Sequence, residues 1–423
     1  MNKTNLNKSG YKETKIGLIP EDWRVEKLGD KMNCFSGGTP SRSNMSYYNG
    51  SIPWIKSGEL NKKFIYYTEE FIDENAIRDS ATRYIEPDTL LYALYGATAG
   101  IPAFSKIKAT INQAILAIVT TEDLDSIYLY FWLFHNKKDL LNVYTQGAQP
   151  NLSAQIVKDY TIPLPPLPEQ KKIADILSTW DRAIEKTEKL IDVKTKLKKG
   201  LMQQLLTGQK RFKVFIKSDR VILTRYGNIP AEWSYIHIKE IAKEVSVKNK
   251  NGKNLTVLSC TKYDGLIDSL KYFKRQVFSD DTSTYKIVKH GQFAYATNHI
   301  EEGSIGYQNV CDEALISPMY TVFETNDKVN DEYLYKLLKT ELYRHIFEVN
   351  TSASVDRRGS LRWDEFSLIK IPLPALDEQQ RIASVLSTID KEISTLNKKL
   401  KALKQQKKGL MQKLLTGEVR VKV

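Results

Sequence analysis

Residues 162–170 read IPLPPLPEQ, and residues 371–379 read IPLPALDEQ. The separation of 209 residues then holds without a gap to the C-terminus, where KKGLMQ (198–203) matches KKGLMQ (407–412) and LLTG (205–208) matches LLTG (414–417). A second matched pair opens each half: GLIPEDW (17–23) and GNIPAEW (227–233). The chain is therefore two copies of one unit, and this repeat organises everything that follows.

Between these markers lie two inserts, about 28–144 and 238–348, that share little identity although their lengths are nearly equal. Both inserts contain short runs rich in β-forming residues, separated by clusters of turn residues. Each insert then ends in a helical pattern, near 126–137 and 331–345. The sequence predicts two diverged α+β domains within a duplicated frame, with strands at 51–55, 90–95, 114–120, 255–259, 292–297 and 319–323.

The frame segments after each Pro-rich stretch carry a heptad pattern typical of coiled-coil helices. Apolar residues recur at alternating steps of four and three residues, which places them on one seam. In the first helix the seam has three polar breaks, and a local shift of register can cover them. The breaks are Thr187, Lys194 and Lys198, and the covering residues are Leu190, Val193 and Leu197. The predicted seam residues are Ile173, Leu177, Trp180, Ile184, Ile191, Leu201, Leu205, Ile382, Leu386, Ile389, Ile393, Leu396, Leu400, Leu403, Leu410 and Leu414.

These patterns predict an α+β fold: two globular domains related by an internal repeat and separated by two long antiparallel coiled-coil helices. Gly208 and Gly417 stand where a left-handed cap would stop each helix. The predicted segments are a first domain over 1–165, with 1–16 flexible, a first helix over 166–208, a second domain over 209–374, a second helix over 375–417 and a tail over 418–423.

The charge balance favours a polyanionic partner. Among 423 residues, 63 Lys and Arg stand against 50 Asp and Glu, a formal net charge of +13. Cys34, Cys260 and Cys311 are too far apart for a zinc site or a disulfide framework, which fits a reducing cytoplasm. We expect no signal peptide and no membrane span, because no apolar run approaches the ~20 residues that a span needs.

Sequence patterns of DNA chemistry are missing. No NPPY or DPPY is present for adenine methylation, no glycine-rich loop follows a strand, and no GxxxxGK[ST] is present for a translocase. The five histidines show neither HxxxH nor HExxH spacing. We therefore expect no catalytic residue, no metal and no cofactor.

At this point the sequence resembles the specificity subunit of a type I restriction-modification system. The resemblance rests on the paired motifs above, on GGTPS (37–41), WIKSGE (54–59) and NQA (112–114), and covers nearly all of the chain after Tyr11. It implies two target recognition domains that each read half of a split double-stranded DNA target. It also implies two helices that dock methyltransferase subunits, within a complex that includes restriction subunits. The second domain departs from the pattern, because it has LSCTKY (258–263) where a GGTP stretch would be expected.

Residue chemistry suggests where each domain contacts DNA, because Arg, Lys, Asn and Gln can reach base edges while Ser, Thr and Tyr commonly hold phosphates. A loop beside glycines that permit close backbone approach, and the ends of several strands, meet this description. The alternative for each is an ordinary turn. The candidates are Thr39, Ser41, Arg42, Ser43, Asn44, Lys56, Ser57 and Thr98 in the first domain, and Lys262, Tyr263, Asn298 and His299 in the second.

A further candidate comes from the repeat itself. The offset aligns Gln149 and Asn151 of one frame loop with Arg358 and Ser360 of the other, and Arg357 precedes this second loop's pair. On DNA, Arg357 and Arg358 would be phosphate or guanine ligands. Away from DNA, Arg358 would pair with a neighbouring acid such as Asp356 or Asp364.

The sequence leaves three functions to separate. The first is a DNA-reading subunit that scaffolds methyltransferase and restriction subunits. The second is a coiled-coil scaffold for protein partners only, and the third is a self-sufficient nuclease or methyltransferase. Salt-dependent DNA binding would distinguish the first two, because phosphate neutralisation makes affinity fall steeply with salt.

Overall fold

A computed structural model of the chain describes residues 9–144, 151–351 and 359–422. The described residues form two compact units: unit 1 contains those up to Glu188 and those from Lys398 on, and unit 2 is Lys189–Asn397. The predicted division into two domains, two helices and a tail stays a prediction. The two compact units do not follow the predicted segments, because each long helix contributes its first half to one unit and its second half to the other.

Unit 1 is an α+β domain with two main sheets. Its strands are β1 (Tyr11–Thr14), β2 (Gly17–Pro20), β3 (Arg24–Lys27), β4 (Met32–Ser36), β5 (Ile52–Ile55), β6 (Phe64–Ile65), β7 (Glu70–Ile72), β8 (Tyr84–Ile85), β9 (Leu90–Ala93), β10 (Pro102–Ser105), β11 (Ala109–Ile111), β12 (Ile115–Thr120) and β13 (Thr161–Leu164). Its helices are α1 (Glu74–Arg78), α2 (Ser126–Tyr144), α3 (Ala154–Lys158), the first part of α4 (Leu167–Leu206) and the second part of α9 (Leu376–Leu415). The strand orders are β4-β12-β9-β10-β6 and β7-β5-β11-β8.

The central strand β9 shows why these sheets form. All four of its residues, LLYA, are buried, so both faces of the strand are covered. Because successive side chains point to opposite faces, Leu90 and Tyr92 pack towards α2, whereas Leu91 and Ala93 pack against the second sheet. The domain core therefore lies in two layers, one on each side of the five-stranded sheet.

Unit 2 contains the second α+β domain. Its strands are β14 (Val221–Thr224), β15 (Gly227–Pro230), β16 (Ser234–His237), β17 (Ala242–Val245), β18 (Leu258–Thr261), β19 (Gly265–Asp268), β20 (Lys286–Lys289), β21 (Phe293–Ala296), β22 (Ile305–Tyr307), β23 (Glu313–Ile316), β24 (Tyr320–Thr325) and β25 (Lys370–Leu373). Its helices are α5 (Ser269–Phe273), α6 (Asp331–Leu338), α7 (Glu341–Asn350), α8 (Trp363–Ser367), the second part of α4 and the first part of α9 (Leu376–Leu415).

The two domains share a topology that their sequences hide. The order β17-β24-β21-β22 reproduces β4-β12-β9-β10. A parallel bridge between Val257 and Leu315 takes the place of the parallel pair β5–β11. The inserts are therefore two versions of one fold, as the repeat predicted.

The predicted elements differ from the observed ones in two places. The strand expected at 255–259 overlaps β18 only at its last two residues. The helix expected over 331–345 is two helices, because Thr340 caps a new start by accepting a hydrogen bond from the Tyr343 amide (3.4 Å).

The predicted seam is confirmed on α9. All nine predicted seam residues of α9 are buried or half-buried, whereas most positions between them are exposed. Lys407, which occupies the seam position between Leu403 and Leu410, is also half-buried. Within each unit the two helix segments run antiparallel: Glu188 pairs with Lys404 in unit 1, and Lys194 pairs with Glu392 in unit 2.

The proposed register shift in α4 is wrong. Leu190, Val193 and Leu197 are 43%, 58% and 45% exposed. The seam instead continues through the polar residues, because Thr187 is buried and Lys194 and Lys198 are half-buried and ion-paired across the helix pair. Opposite charges, supplied by the partner helix, make polar residues acceptable at these positions.

Two of the seam lysines, Lys407 and Lys198, belong to equivalent ionic clusters, one in each unit. In unit 1, Asp181 pairs with Lys407 across the helices and with Lys63 of the domain (2.9 Å). The twin cluster in unit 2 joins Asp390 to Lys198 (2.6 Å) and to Lys336 of α6 (2.7 Å). Burial alone would raise the pKa of Asp390, but hydrogen bonds from both lysines outweigh it and hold the pKa below its ordinary value.

The repeated motifs meet in a second pair of clusters, which we call the frame joints. In unit 1 the indole N–H of Trp23 donates to Glu169 at the start of α4 (3.0 Å). Arg420, beyond the end of α9, donates to both carboxylate oxygens of the same Glu169 (2.7 and 2.8 Å). The same bonds join Trp233, Arg211 and Glu378 in unit 2 (3.0, 2.8 and 2.8 Å).

The glycine caps are confirmed. Gly208 has φ +74 and Gly417 has φ +71, in the left-handed region. A Cβ on Gly208 would lie 2.4 Å from the Pro230 ring, and one on Gly417 the same distance from Pro20. The caps therefore also bring each helix end against the Pro-x-x-Trp motif.

The segment 1–16 does not behave as predicted where it is described. Residues 11–14 form β1, which pairs with β2, and the Tyr11 hydroxyl donates to the Gly417 carbonyl (2.8 Å). These bonds order a polar stretch that composition alone describes as flexible. Residues 1–8 lie outside the described part of the chain.

Candidate nucleic-acid interface

The candidate DNA residues of unit 1 lie together at one edge of its sheets. Since β12 is antiparallel to both β4 and β9, its start lies beside the ends of those two strands. The β11–β12 turn also meets the end of β5, because the Asn112 amide donates to the Ile55 carbonyl (3.0 Å). We call this surface the strand-end edge of unit 1; it comprises residues 37–44, 56–59, 95–100, 112–114 and 151.

Glycines 37 and 38 hold this edge to the domain instead of leaving room for DNA. A Cβ on Gly37 would lie 1.7 Å from the Ile111 carbonyl oxygen, and one on Gly38 would lie 2.6 Å from the backbone of Ala81. The expectation that these glycines permit close approach of DNA is therefore wrong. Their lack of a side chain is needed for internal packing.

Contacts with two neighbouring side chains hold Arg42 in place on the edge. Its guanidinium lies 4.2 Å from the centre of the Tyr48 ring and pairs with Glu70 (2.7 Å), yet the side chain is 53% exposed. Lys56 pairs with the same Glu70 (2.6 Å). Burial would raise the pKa of Glu70, but the bonds from Lys56 and Arg42 outweigh it, so the pKa lies below its ordinary value. Both cations are thus oriented before any ligand binds.

Other candidates in this loop have local roles. Asn44 caps the short helical turn 45–48 by accepting from the Ser46 amide (3.2 Å), as an ordinary turn residue would. Ser41 and Ser43 share a hydrogen bond (2.7 Å). The Thr39 hydroxyl donates to Gln113, a side chain of the β11–β12 turn.

Thr98, a predicted DNA contact at the end of a strand, is largely buried. Its side chain is 9% exposed, and its hydroxyl donates to the Ser57 carbonyl (2.7 Å). The hydroxyl therefore joins two loops of the edge. Thr98 is removed from the set of predicted DNA contacts.

The frame-loop candidates are only partly described. Asn151 is exposed and bridges to Tyr95 of the edge. Gln149, Arg357 and Arg358 lie outside the described residues, so their DNA role stays a prediction.

Unit 2 gathers its candidates at the corresponding place. The Thr297 hydroxyl donates to the Met319 carbonyl (2.9 Å), and the Leu361 amide donates to the Thr297 carbonyl (2.9 Å). We call the resulting surface, formed by residues 262–264, 297–304, 317–319 and 360–364, the strand-end edge of unit 2. It contains an open cleft of about 510 Å³ that Asn298, Met319, Arg362 and Trp363 help to line.

The predicted residues of this edge differ in exposure and partners. Tyr263 is 80% exposed, and the Lys262 ammonium lies 5.4 Å from its ring centre. Asn298 is half-buried and accepts from the Thr297 hydroxyl (3.3 Å). His299 faces an acid on its own turn, with Nδ1 3.3 Å from Glu302.

His299 also takes part in an acidic cluster. Within residues 9–144, 151–351 and 359–422, one group, His299, Glu301 and Glu302, brings possible metal-ligand atoms within 4.8 Å of one another. Two carboxylates beside His299 oppose a phosphate contact, because like charges repel. His299 is thus the least favourable of the four predicted contacts in unit 2.

Sequence reasoning missed three side chains on these edges. They are Gln113, which bonds Thr39, Met319, which is 61% exposed, and Arg362, which lines the cleft. A signal for Gln113 was present, because it lies in the NQA stretch that carried the family resemblance. Met319 and Arg362 are brought to the edge by strand pairing that the sequence does not reveal.

Two α+β domains of one topology, set in a duplicated frame with two long helices, define a class of duplicated recognition protein. The sequence matches the family described as "Type I restriction modification DNA specificity domain" twice, over residues 20–195 and 230–405. Because these matches cover most of the chain, the chain belongs to this family of type I restriction-modification specificity subunits with DNA target recognition domains.

Curated relatives agree over nearly the whole length. The MjaVIII specificity subunit of Methanocaldococcus jannaschii is 29% identical over 435 residues, which cover 97% of this chain and 96% of the relative. The putative MjaX specificity subunit of the same organism is 27% identical over 441 residues, covering 97% of both chains.

Solved structures show the same fold. The S subunit of a type I restriction-modification system from M. genitalium superposes with a TM-score of 0.57 at 15% identity, covering 93% of this chain and 96% of that one. A chain from a study of type I complex assembly and conformational transition gives a TM-score of 0.52 at 15% identity, covering 95% and 99%. Within the described part of the chain, no helix is both long enough and apolar enough to cross a membrane.

Proposed function

We propose that this chain reads a split double-stranded DNA target, one domain for each half-site, and that its helices hold methyltransferase and restriction subunits. The observation that carries the proposal is the pair of strand-end edges. Their backbones follow one topology, but their side chains differ: Arg42, Lys56 and Gln113 in unit 1, and Lys262, Tyr263 and Met319 in unit 2. Two edges of one design with different chemistry suit two different half-sites.

The side chains fit DNA by type. Arginine and glutamine can make paired hydrogen bonds to base edges, and an exposed methionine or tyrosine can contact a thymine methyl or a base face. Arg42, held on Tyr48 and Glu70, is our strongest candidate for a base contact. The net charge of +13 adds attraction to phosphates that does not depend on sequence.

The proposal gives the chain no chemistry of its own, because its relatives are specificity subunits of restriction enzymes. We place its action in the cytoplasm, because three widely separated cysteines fit a reducing compartment. Incubating the purified chain with DNA and Mg²⁺, or with DNA and a methyl donor, is expected to leave the DNA unchanged. Cleavage or methylation by the chain alone would contradict this part of the proposal.

Binding to a pool of random-sequence duplexes over a salt series tests the central claim. We expect retention at low salt and a steep loss of affinity as salt rises, because bound cations are released from the phosphates. The alternative, a scaffold for protein partners only, predicts no retention at any salt concentration. Sequencing the methylated sites of cells that carry this chain with its methyltransferase would then give the two-part motif.

Exchange of one domain tests whether each domain recognises one half-site. Replacing residues 30–145 with the first domain of another family member is expected to change one half of the methylated motif and to leave the other half intact. The physical reason is that the β4–β12 sheet and all of its strand-end edge except Asn151 lie inside the exchanged segment. A change in both halves would contradict the assignment of one domain per half-site.

A further inference from the structure

A half-buried lysine, Lys339, ties together two loops of the strand-end edge in unit 2. The Lys339 ammonium donates to the carbonyl oxygens of Lys262 (2.6 Å), Gly303 (2.8 Å) and Ile305 (3.4 Å). Lys262 lies in the loop after β18, and Gly303 lies in the loop after β21. One side chain therefore fixes the distance between two segments that carry candidate DNA contacts.

The backbone geometry of this link is tightly defined. Gly303 has φ +96, and a Cβ built on it would lie 3.5 Å from the Lys262 carbonyl oxygen, so the two loops are in contact. Lys339 itself follows the last turn of α6, whose Lys336 pairs with Asp390 of α9. The lysine is thus anchored on the element that joins the domain to the long helix.

Unit 1 makes the corresponding link with a different residue. The Thr98 hydroxyl joins the loop after β9 to the loop after β5 through the Ser57 carbonyl (2.7 Å). Thr98 is buried, and both acceptors in this comparison, Ser57 and Lys262, accept through backbone oxygens. The two domains therefore connect the same pair of loops by unrelated side chains.

We infer that Lys339 and Thr98 are positioning residues for DNA specificity, each fixing the two loops of its own edge in one arrangement. This inference rests on the proposed function of the edges. Direct readout needs side chains held in one geometry against the base edges, whereas phosphate attraction tolerates mobile loops. Loss of either link should therefore weaken discrimination in one half-site and spare sequence-independent binding.

The experiment selects duplexes from a random-sequence pool with the full chain and sequences the bound fraction. The unsubstituted chain is expected to enrich a two-part motif. Lys339→Met keeps the apolar stem and removes the donor, and we expect its preference in the unit 2 half-site to fall about tenfold while the other half-site is kept. Thr98→Val, which removes only the hydroxyl, is expected to show the mirror result in the unit 1 half-site.

Matched controls separate positioning from loss of charge or of stability. Lys243→Met removes an exposed lysine at the opposite end of the same sheet, and Thr121→Val removes a hydroxyl that donates to the Lys31 carbonyl at the opposite end of the unit 1 sheet. We expect both controls to keep both half-sites. Lys339→Arg and Thr98→Ser retain donors, and we expect them to restore most of the preference.

Four outcomes decide the inference. If the unsubstituted chain enriches no motif, the proposed function itself fails. If it enriches a motif and both Lys339→Met and Thr98→Val, folded by circular dichroism, keep it unchanged, the positioning role is wrong while the proposed function stands. If Lys339→Met does not fold, Thr98→Val alone decides. Equal loss of both half-sites in a folded variant would also overturn the inference.

Discussion

Single residues of the frame joints explain why the two copies share their motifs. Glu232 of unit 2 binds two partners at once: it accepts hydrogen bonds from the Ser218 amide (2.7 Å) and from Arg211 (2.8 Å). Arg211 in turn binds Glu378 at the start of α9. The motif residues are thus structural, and the proposed DNA contacts lie elsewhere.

The protonation of Glu232 gives a pH-dependent prediction. Desolvation would raise its pKa, but the backbone hydrogen bonds and the bond from Arg211 outweigh it and lower the pKa from 4.5 to about 2. A carboxyl with a depressed folded-state pKa stabilises the fold above its unfolded-state pKa, and the contribution is lost as the pH falls through the folded-state value. Glu232→Gln should therefore lower the melting temperature at neutral pH.

The difference between Glu232→Gln and the unsubstituted chain should shrink as the pH falls from 4.5 towards about 2. Thermal scans by circular dichroism at neutral pH and within that acidic range measure it. Glu122→Gln, at an exposed position of the β12–α2 turn, is the control. A difference that is as large in acid as at neutral pH would contradict the assigned role of the carboxylate.

Glycine at the helix ends leads to a second prediction at this scale. Gly208→Ala places a Cβ 2.4 Å from the Pro230 ring at a left-handed φ, and should reduce the free energy of unfolding by about 1–2 kcal/mol. Gly200→Ala, inside α4 with no atom within 4 Å of its Cβ, should instead raise it by about 0.5–1 kcal/mol. Urea unfolding compares the two, and equal effects would show that cap geometry does not matter.

At the scale of elements, the long helices combine an apolar seam with ionic pairs at its polar positions. The seam of α9 lies where the heptad pattern puts it, and the seam of α4 runs straight through Thr187, Lys194 and Lys198. Asp181 pairs with Lys407, Asp390 pairs with Lys198, and each of these acids also binds one lysine of its domain; Lys194 pairs with Glu392. Such pairs favour one register of the two helices, because a slip would leave charges without partners.

The seam assignment predicts a large loss of stability on truncation of one leucine of unit 2 and almost none for another. Leu386 is completely buried, so Leu386→Ala should reduce the free energy of unfolding by about 2–5 kcal/mol. Leu197 is 45% exposed, so Leu197→Ala should change it by less than about 0.5 kcal/mol. Chemical denaturation followed by circular dichroism measures both. A large effect at Leu197 would show that this residue is part of the seam and would contradict the register seen in the structure.

At the scale of the whole molecule, each unit is completed by the helix that ends in it. The residues after α9 return to the frame joint of unit 1, where Arg420 binds Asp22 (2.7 and 2.8 Å) and Glu169. The residues after α4 fill the same place in unit 2, where Arg211 binds Glu232 and Glu378. The order in which the segments follow one another along the chain is therefore not essential to either unit.

A circular permutation tests this equivalence. We expect a chain whose original ends are joined by a linker and which is reopened between Ser218 and Asp219 to fold and to keep two-part recognition. The new break leaves the Ser218–Glu232 contact in place. Circular dichroism and selection from random-sequence duplexes measure fold and specificity. A folded permuted chain that recognises one half-site or none would contradict the prediction.

The sequence predicted the features that depend on near neighbours along the chain. The repeat, the seam of α9 and the caps at Gly208 and Gly417 could be found because periodicity and capping are local. The candidate interface was predicted only by residue type. Arg42 and Lys56 lie on the strand-end edge, where their contact with DNA stays a prediction, whereas Thr98 is buried. A distant partner such as the Ser57 carbonyl cannot be predicted until the loops after β5 and β9 are placed together in the folded domain.

By itself the sequence determined that this protein is a duplicated frame with two long helices. Identical motifs at a fixed offset and a heptad period can be recognised from the order of residues along the chain alone. Only the tertiary structure decided that two dissimilar inserts share one sheet topology, and which loops meet at each strand-end edge. The reason is that strand pairing joins residues far apart in sequence, as Lys339 joins Lys262 and Gly303. Contacts of that kind leave no period in the sequence from which they could be predicted.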